Sequence, residues 1–241
     1  MQKFIIILCS LIALNAHSQN YKIEFLEKID FSDGVFTKPL EKESTLLFNE
    51  DYSIFSSFVI ERSVTREAYD KAGNNVRIIH SKDTIHAYKN QANKTVTIKK
   101  NLFTGKKIVL DSLDIMKWEL LNEKKTILGY DCYKAKTKFR GVEFEVFYTP
   151  KIPISDGPYS FCGLPGVILS VKLIDPINTF EVEAYSITNS NSDIINPFTN
   201  SKVISFNEYK NIYKKKHQEL GNYSGGENTL SKGWLENLID E

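Results

Sequence analysis

Short runs in which apolar and charged residues alternate are the feature that most limits what this chain can fold into. The clearest pair covers residues 133–139 and 142–148, on either side of Arg140-Gly141. Alternation puts the apolar side chains on one face of a strand, and a two-residue turn that contains glycine joins neighbouring antiparallel strands. Strands with a single apolar face are typical of antiparallel sheets with one dry face and one face in water. These residues therefore predict a β-hairpin in such a sheet.

Similar runs follow one another along the chain and are separated by turn residues. They predict strands at residues 21–29, 45–48, 52–55, 76–80, 84–88, 95–99, 167–174 and 180–187. The charged stretch 61–71 is compatible with a short helix. The dry face of the sheet needs a cover, which is either a helix or the sheet itself, curling into a barrel or half-barrel.

The period of the pattern changes near the end of the chain. Ser205 and Glu208 have the spacing of a capping box, and apolar residues then recur at helical spacing. This predicts a helix at about 205–220, with Gly221 as a natural stop. The fold we predict is mainly β: an antiparallel curved sheet or half-barrel with a C-terminal helix.

The first residues predict a secretory signal peptide. Lys3 precedes an apolar run at residues 4–14, and small residues lead to a cleavage point after Ser18. The run is much shorter than the ~20 apolar residues that cross a bilayer. We therefore expect an exported protein that is periplasmic or associated with the outer membrane.

The expected domain organisation follows from this. Residues 1–18 form the signal peptide, residues 19–220 form a single β-rich domain, and residues 221–241 form a mobile tail. Without residues 1–18, the 31 basic and 30 acidic residues of the full chain become 30 of each. This balance gives no reason to expect a nucleic-acid partner. No later run is long and apolar enough to predict a transmembrane segment in the mature chain.

The mature chain keeps two cysteines, Cys132 and Cys162. An exported protein meets an oxidising compartment, in which a disulfide between them would form and persist. Cysteine also packs as a small apolar residue, so two free buried thiols are the alternative.

No set of residues predicts catalysis or metal binding. His80 and His86 fall on neighbouring predicted strands, but a zinc site needs at least one more ligand at a defined spacing. Cys162 lies in a tight loop with Asp156, so a thiol-dependent enzyme or hydrolase centred on Cys162 is an alternative. That alternative requires a distant histidine beside the Cys162 sulfur. We otherwise expect no catalytic residue, no metal and no cofactor.

The loop at residues 156–166 contains most of the candidate binding residues. Tyr159 and Phe161 are predicted to be exposed and to contact a partner, together with Leu164. Glycine and proline give the loop its shape. These shaping residues are Gly157, Pro158, Gly163, Pro165 and Gly166.

Residues 163–169 read GLPGVIL, and residues 152–158 lead into them with IPISDGP. Trp118, residues 125–135 and the Phe147-Tyr148-Thr149 segment come before them. In order and spacing, these three stretches resemble the GLPGLI family of exported proteins from Gram-negative bacteria, with Val167 in place of the family's leucine. The resemblance implies an exported, β-rich protein without an assigned activity. It also implies a sheet similar to the curved half-barrels of periplasmic lipoprotein carriers.

Taken together, these features predict an exported, non-enzymatic binding or accessory module of the cell envelope. A curved sheet would offer an apolar concavity with residues 155–166 at its rim. The expected partner is a hydrophobic ligand or an outer-membrane protein. An enzyme centred on Cys162 is the alternative.

Overall fold

In the computed structural model of the protein, the residues described are 20–30, 40–59, 66–69, 75–78, 84–102, 105–113, 116–176 and 178–223. The strands among them are β1 (Asn20–Asp30), β2 (Leu40–Phe48), β3 (Tyr52–Val59), β4 (Arg66–Tyr69), β5 (Asn75–Ile78), β6 (Ile85–Asn90), β7 (Thr95–Leu102), β8 (Gly105–Ser112), β9 (Trp118–Ile127), β10 (Tyr130–Phe139), β11 (Val142–Thr149), β12 (Val167–Leu173), β13 (Thr179–Ser190) and β14 (Val203–Ser205). Helix α1 is Phe206–Tyr223. The predicted signal peptide, the last residues of the predicted tail and His80 lie outside the described residues.

Twelve strands form one sheet in the order β14-β8-β7-β6-β3-β2-β1-β13-β12-β11-β10-β9. Neighbours are antiparallel except for β14 and β8, which are parallel. Strands β4 and β5 form a separate two-stranded sheet. The prediction of a mainly β, antiparallel sheet with a C-terminal helix is confirmed. The helix proposed for 61–71 is wrong for its described part, because Arg66–Tyr69 forms β4.

The sheet is strongly curled, as the link between β8 and β9 requires. These strands are ten positions apart in the sheet, about 48 Å in a flat sheet at ~4.8 Å per strand. Yet the chain crosses from Ser112 to Trp118 through residues 113–117, a reach of about 20 Å. The two ends of the sheet must therefore approach each other. A bond of 2.7 Å between Arg140 at the β10–β11 turn and Asp111 on β8 also joins them.

Alternate residues give the sheet two faces. The face inside the curl, called here the core face, carries fully buried rings, among them Phe25, Phe55, Phe144 and Phe180. The opposite face, called the polar face, carries residues such as Lys28, Glu145 and Glu183. Burial of apolar rings on one side only is the reason that these alternating sequences form a curled sheet rather than a flat one.

The predicted hairpin at 133–148 is present as β10 and β11. Arg140 and Gly141 both have positive φ angles, +48° and +75°, as the twist-matched two-residue turn requires. Leu128 and Gly129, at +52° and +82°, form a second turn of this kind between β9 and β10.

Helix α1 starts where the capping pattern predicts. The Glu208 amide donates to the Ser205 hydroxyl at 3.2 Å. Tyr209 and Tyr213 are buried, and the helix packs against β8 and β14. It continues past the predicted stop at Gly221 and ends at Tyr223. Within the described residues, no helix combines the length and the apolar character needed to cross a membrane.

Candidate functional site

The segment between β11 and β12, residues 150–166, lies against the core face and is called the strap here. The centre of the Tyr159 ring lies 4.5 Å from the ring centre of Phe55 on β3 and 5.8 Å from the ring centre of Phe180 on β13. Phe161 makes an edge contact of 5.0 Å with Phe144 on β11. Because the strap touches strands from both halves of the sheet, it lies inside the curl.

This position corrects the prediction for the loop. Tyr159, Phe161 and Leu164 are only 4%, 3% and 2% exposed, so they are not exposed contact residues. Inside the curl these side chains are removed from water, and burying a large apolar side chain contributes about 1.5–3 kcal/mol of stability. The strap is a filling of the concavity rather than the rim of an open one.

Close packing explains the glycines of the strap. At Gly166, where φ is +155°, an added Cβ would lie 2.1 Å from the Thr149 carbonyl oxygen. At Gly163 it would lie 3.2 Å from the indole nitrogen of Trp118, which donates to the Cys162 carbonyl at 2.8 Å. At Gly157 it would lie 2.8 Å from the Ile168 Cβ, and the Pro158 carbonyl accepts from the Phe161 amide at 3.0 Å. Pro165 lies in the turn between Leu164 and Gly166. The most distinctive part of the sequence therefore fixes how the chain re-enters the sheet at β12.

A buried ion pair fastens the strap to the sheet. The Lys89 ammonium on β6 donates to the Asp156 carboxylate, and both side chains are fully buried. Lys89 also donates to the Gly157 carbonyl at 2.5 Å. The Gly157 amide and Gln91 donate to Asp156 at 2.7 and 3.3 Å. Both charges are thus paired and hydrogen-bonded, which is what makes their burial tolerable.

A second buried contact joins the strap to β1. The Tyr159 hydroxyl donates to Glu27 Oε2 at 2.6 Å, and Glu27 is fully buried. Burial, the nearby Glu27 charge and this hydrogen bond raise the pKa of Tyr159 well above its usual value. Tyr159 also has a left-handed backbone, with φ at +52°. The tyrosine is held as a neutral donor to a carboxylate.

Polar groups continue across the core face beside Glu27. Lys42 lies directly opposite Glu27 in the β1–β2 register, and Ser44 lies opposite Ser57 in the β2–β3 register. Burial lowers the pKa of Lys42, while the Glu27 charge acts in the other direction. Perturbed groups of this kind mark catalytic sites when a substrate can reach them. Here Glu27, Ser44 and Ser57 are at most 1% exposed, so the cluster has the character of a polar core.

The sequence contained a signal for both buried charges that the prediction did not use. Glu27 continues the core-face alternation of Ile23, Phe25 and Ile29. In the same way, Lys89 follows Ala87 at the next core-face position of β6. A charge at an apolar position of a strand indicates a buried partner, because an unpaired charge is costly to bury.

Cys132 and Cys162 are both buried, and no disulfide joins them. Cys162 Sγ lies 3.5 Å from the Leu113 carbonyl, and Cys132 Sγ lies 3.4 Å from the Tyr130 carbonyl. Burial raises the pKa of Cys132 to about 11. Of the two possibilities the sequence left open, the structure has two buried thiols and not the disulfide. A buried thiol that donates to a carbonyl is not an activated nucleophile.

The described histidines lie in other surroundings. His86 Nδ1 is 2.9 Å from the Ser56 hydroxyl, and His217 stacks on Tyr213 in α1. The described part of the chain contains no group of three or more His, Cys, Asp or Glu residues that could hold a metal ion.

An open groove of about 470 Å³ lies on the polar face over β1, β13, β12, β11 and β9. Tyr185 lines it with a side chain that is 48% exposed, and Phe147 lines its far side. The charged lining residues are three lysines and three glutamates: Lys28, Lys125, Lys172, Glu145, Glu181 and Glu183. Their formal charges balance, so the groove attracts neither anions nor cations as a whole.

Ion pairs hold the walls of the groove. Lys125 on β9 bonds to Glu183 on β13 at 2.7 Å, although the strands are four positions apart, about 19 Å in a flat sheet. The later part of β9, around Lys125, therefore bends over the polar face, while Trp118 at the start of β9 contacts the strap. The Lys125 ammonium also lies 5.3 Å from the Phe147 ring centre, within cation–π range. Lys172 bonds to Glu181 at 2.7 Å.

Comparison with known proteins places this fold beside one described class. Residues 104–211 match a family model described as the N-terminal domain of an N-glycanase. Two solved structures of PNGF-II, in space groups C2 and P21, are similar, with TM-scores of 0.51 and 0.53 at 17% sequence identity. Each match covers 83% of this chain and 34% of the PNGF-II chain, so this chain spans about a third of that protein. No curated protein matched. The likeness concerns the fold: a mainly β domain with a long antiparallel sheet.

Proposed function

We propose that this protein is an exported, non-enzymatic binding or accessory module of the cell envelope, and that the polar-face groove is its binding surface. The observation that carries the proposal is the contrast in access between the two faces. The groups with reactive chemistry, such as Glu27, Asp156 and Cys162, are at most 4% exposed, whereas the groove is open. Binding sites are concave and combine aromatic side chains with polar groups, and this groove places Phe147 and Tyr185 beside six charged side chains.

The partner we propose is a membrane protein of the envelope rather than a free hydrophobic ligand. The strap fills the side of the sheet on which an apolar ligand would have been carried. Export and envelope location rest on the signal-peptide pattern and on the resemblance to the GLPGLI family. The likeness to a domain that forms a third of a larger enzyme supports an accessory role.

Co-sedimentation of the purified chain with outer-membrane vesicles from the producing bacterium tests this proposal. We expect saturable binding that is lost when the vesicles are treated with protease. Tyr185→Ala should weaken it about tenfold, as the loss of an exposed aromatic anchor does. Tyr52→Ala is the matched control, because Tyr52 is also exposed, at 39%, but lies outside the groove on β3. Equal binding by both variants would refute the groove as the binding surface.

A further inference from the structure

The groove has a chemistry that selects one class of ligand. Four of its six charged side chains are already paired with each other, Lys125 with Glu183 and Lys172 with Glu181. A fifth, Glu145, is paired with Lys134 and Lys136 beside the groove. A net anion that bound Lys125 or Lys172 would have to displace a glutamate, and a net cation that bound one of the glutamates would have to displace a lysine. A ligand without charge that both donates and accepts hydrogen bonds can bind to these pairs without separating them.

The apolar part of the lining adds a second requirement. Tyr185 presents a half-exposed ring, and Leu26 and Phe147 add apolar surface between the charged side chains. The ligand must therefore have a flat, weakly polar face as well as many hydroxyl groups. A pyranose ring has both, since its axial C–H bonds form such a face and its hydroxyls both donate and accept.

From these two requirements we propose that the groove binds a neutral saccharide, one or a few sugar units long. The volume of about 470 Å³ is within the ~300–1,000 Å³ typical of small-ligand pockets. This inference rests on the proposed function, because it identifies the ligand of the same groove. The saccharide is then the part of the envelope partner that the module recognises.

The charge pairs make a specific contribution to this selectivity. Glu183→Ala leaves Lys125 without its glutamate and gives the groove a net positive charge. We expect this variant to lose affinity for neutral sugars and to gain it for acidic ones. Glu183→Gln removes the same charge but keeps an acceptor, so it should retain more of the neutral-sugar binding than Glu183→Ala does.

The experiment is a glycan array of neutral and acidic oligosaccharides, followed by calorimetric titration of the strongest neutral oligosaccharide. We expect neutral sugars to bind, Tyr185→Ala to weaken the affinity about tenfold, and Tyr52→Ala to leave it unchanged. All of these residues are on the surface, so the melting temperature of each variant should match that of the wild type. Binding of acidic sugars alone would overturn the inference.

Treated vesicles separate failure of this inference from failure of the proposed function. Periodate cleaves the vicinal diols of sugars, so vesicles oxidised with periodate should no longer bind the protein. If oxidised vesicles still bind while protease-treated vesicles do not, the groove recognises protein and the saccharide inference is wrong. If Tyr185→Ala has no effect on untreated vesicles, the proposed function itself is wrong.

Discussion

The strap and the groove both depend on pairs of a lysine and a carboxylate, but in opposite environments. Lys89 and Asp156 are fully buried, whereas the side chains of Lys125 and Glu183 are 36% and 55% exposed. A buried charge that loses its partner keeps its full cost of dehydration, while an exposed charge regains water. The buried pair is therefore committed to holding the fold. The exposed pair contributes little to the fold and is accessible to a ligand.

The largest expected effect comes from breaking the buried pair. Asp156→Ala leaves Lys89 buried without its carboxylate and should lower the free energy of unfolding by about 3–5 kcal/mol. Urea unfolding at pH 7 measures it. The double variant Lys89→Met with Asp156→Leu removes both charges and should recover most of the loss. A loss below about 1 kcal/mol would mean that this buried pair contributes no more to stability than an exposed ion pair does.

A backbone test of the strap comes next in size. In Gly166→Ala the new Cβ would meet the Thr149 carbonyl oxygen at 2.1 Å, so the end of the strap must move away from the end of β11. We expect a loss of about 2–4 kcal/mol in thermal or urea unfolding. Gly129→Ala is the control: φ there is +82°, but no atom lies within 4 Å of the new Cβ. It should cost only the ~1–2 kcal/mol of a left-handed backbone. Equal losses would mean that the close approach to Thr149 is relieved without cost.

The contact between Tyr159 and Glu27 predicts a smaller loss with a pH signature. Tyr159→Phe removes the donor to a buried carboxylate and should cost about 1–3 kcal/mol at pH 7. Because the folded pKa of Tyr159 is raised above the unfolded value of 10.0, its contribution is fully present below pH 10. It is lost as the pH rises from there toward the folded pKa. The difference in stability between wild type and variant should therefore shrink above pH 10, and a constant difference from pH 7 to 11.5 would contradict this.

The smallest effect is expected on the polar face. Glu183→Gln breaks the exposed pair with Lys125 and should change the free energy of unfolding by less than about 1 kcal/mol. The same urea titration as for Asp156→Ala gives the comparison. A loss of several kcal/mol would show that the groove walls are part of the structural core. The groove would then be a poor candidate for a binding surface.

The hairpins and the helix start could be predicted because their signals are local. Alternation with a glycine turn at Gly141 defined β10 and β11, and Ser205 with Glu208 defined the start of α1. The charged stretch 61–71 was harder, since its residues suit a helix while Arg66–Tyr69 pairs with β5. Pairing with another strand overrode local propensity there.

The position of the strap could not be predicted from local pattern. Tyr159 and Phe161 lie in a loop, and loops are usually at the surface. Their burial depends on Phe55, which comes from a distant part of the chain, and on Phe144 and Phe180 in strands before and after the strap. The groove was missed for a similar reason, because Lys125 meets Glu183 only after the sheet has bent.

The place of β1 in the sheet has a consequence for how the molecule assembles. Its two neighbours are β2, which follows at once, and β13, where Asn20 pairs with Ser190. During synthesis from the N-terminus, one side of β1 has no permanent partner until most of the chain has been made. Such an open edge invites wrong pairing, and long-range pairing of this kind is slow. A chain truncated before β13 would keep this open edge and should aggregate, so the centre of the sheet is completed only after most of the strands on both sides of it have been made.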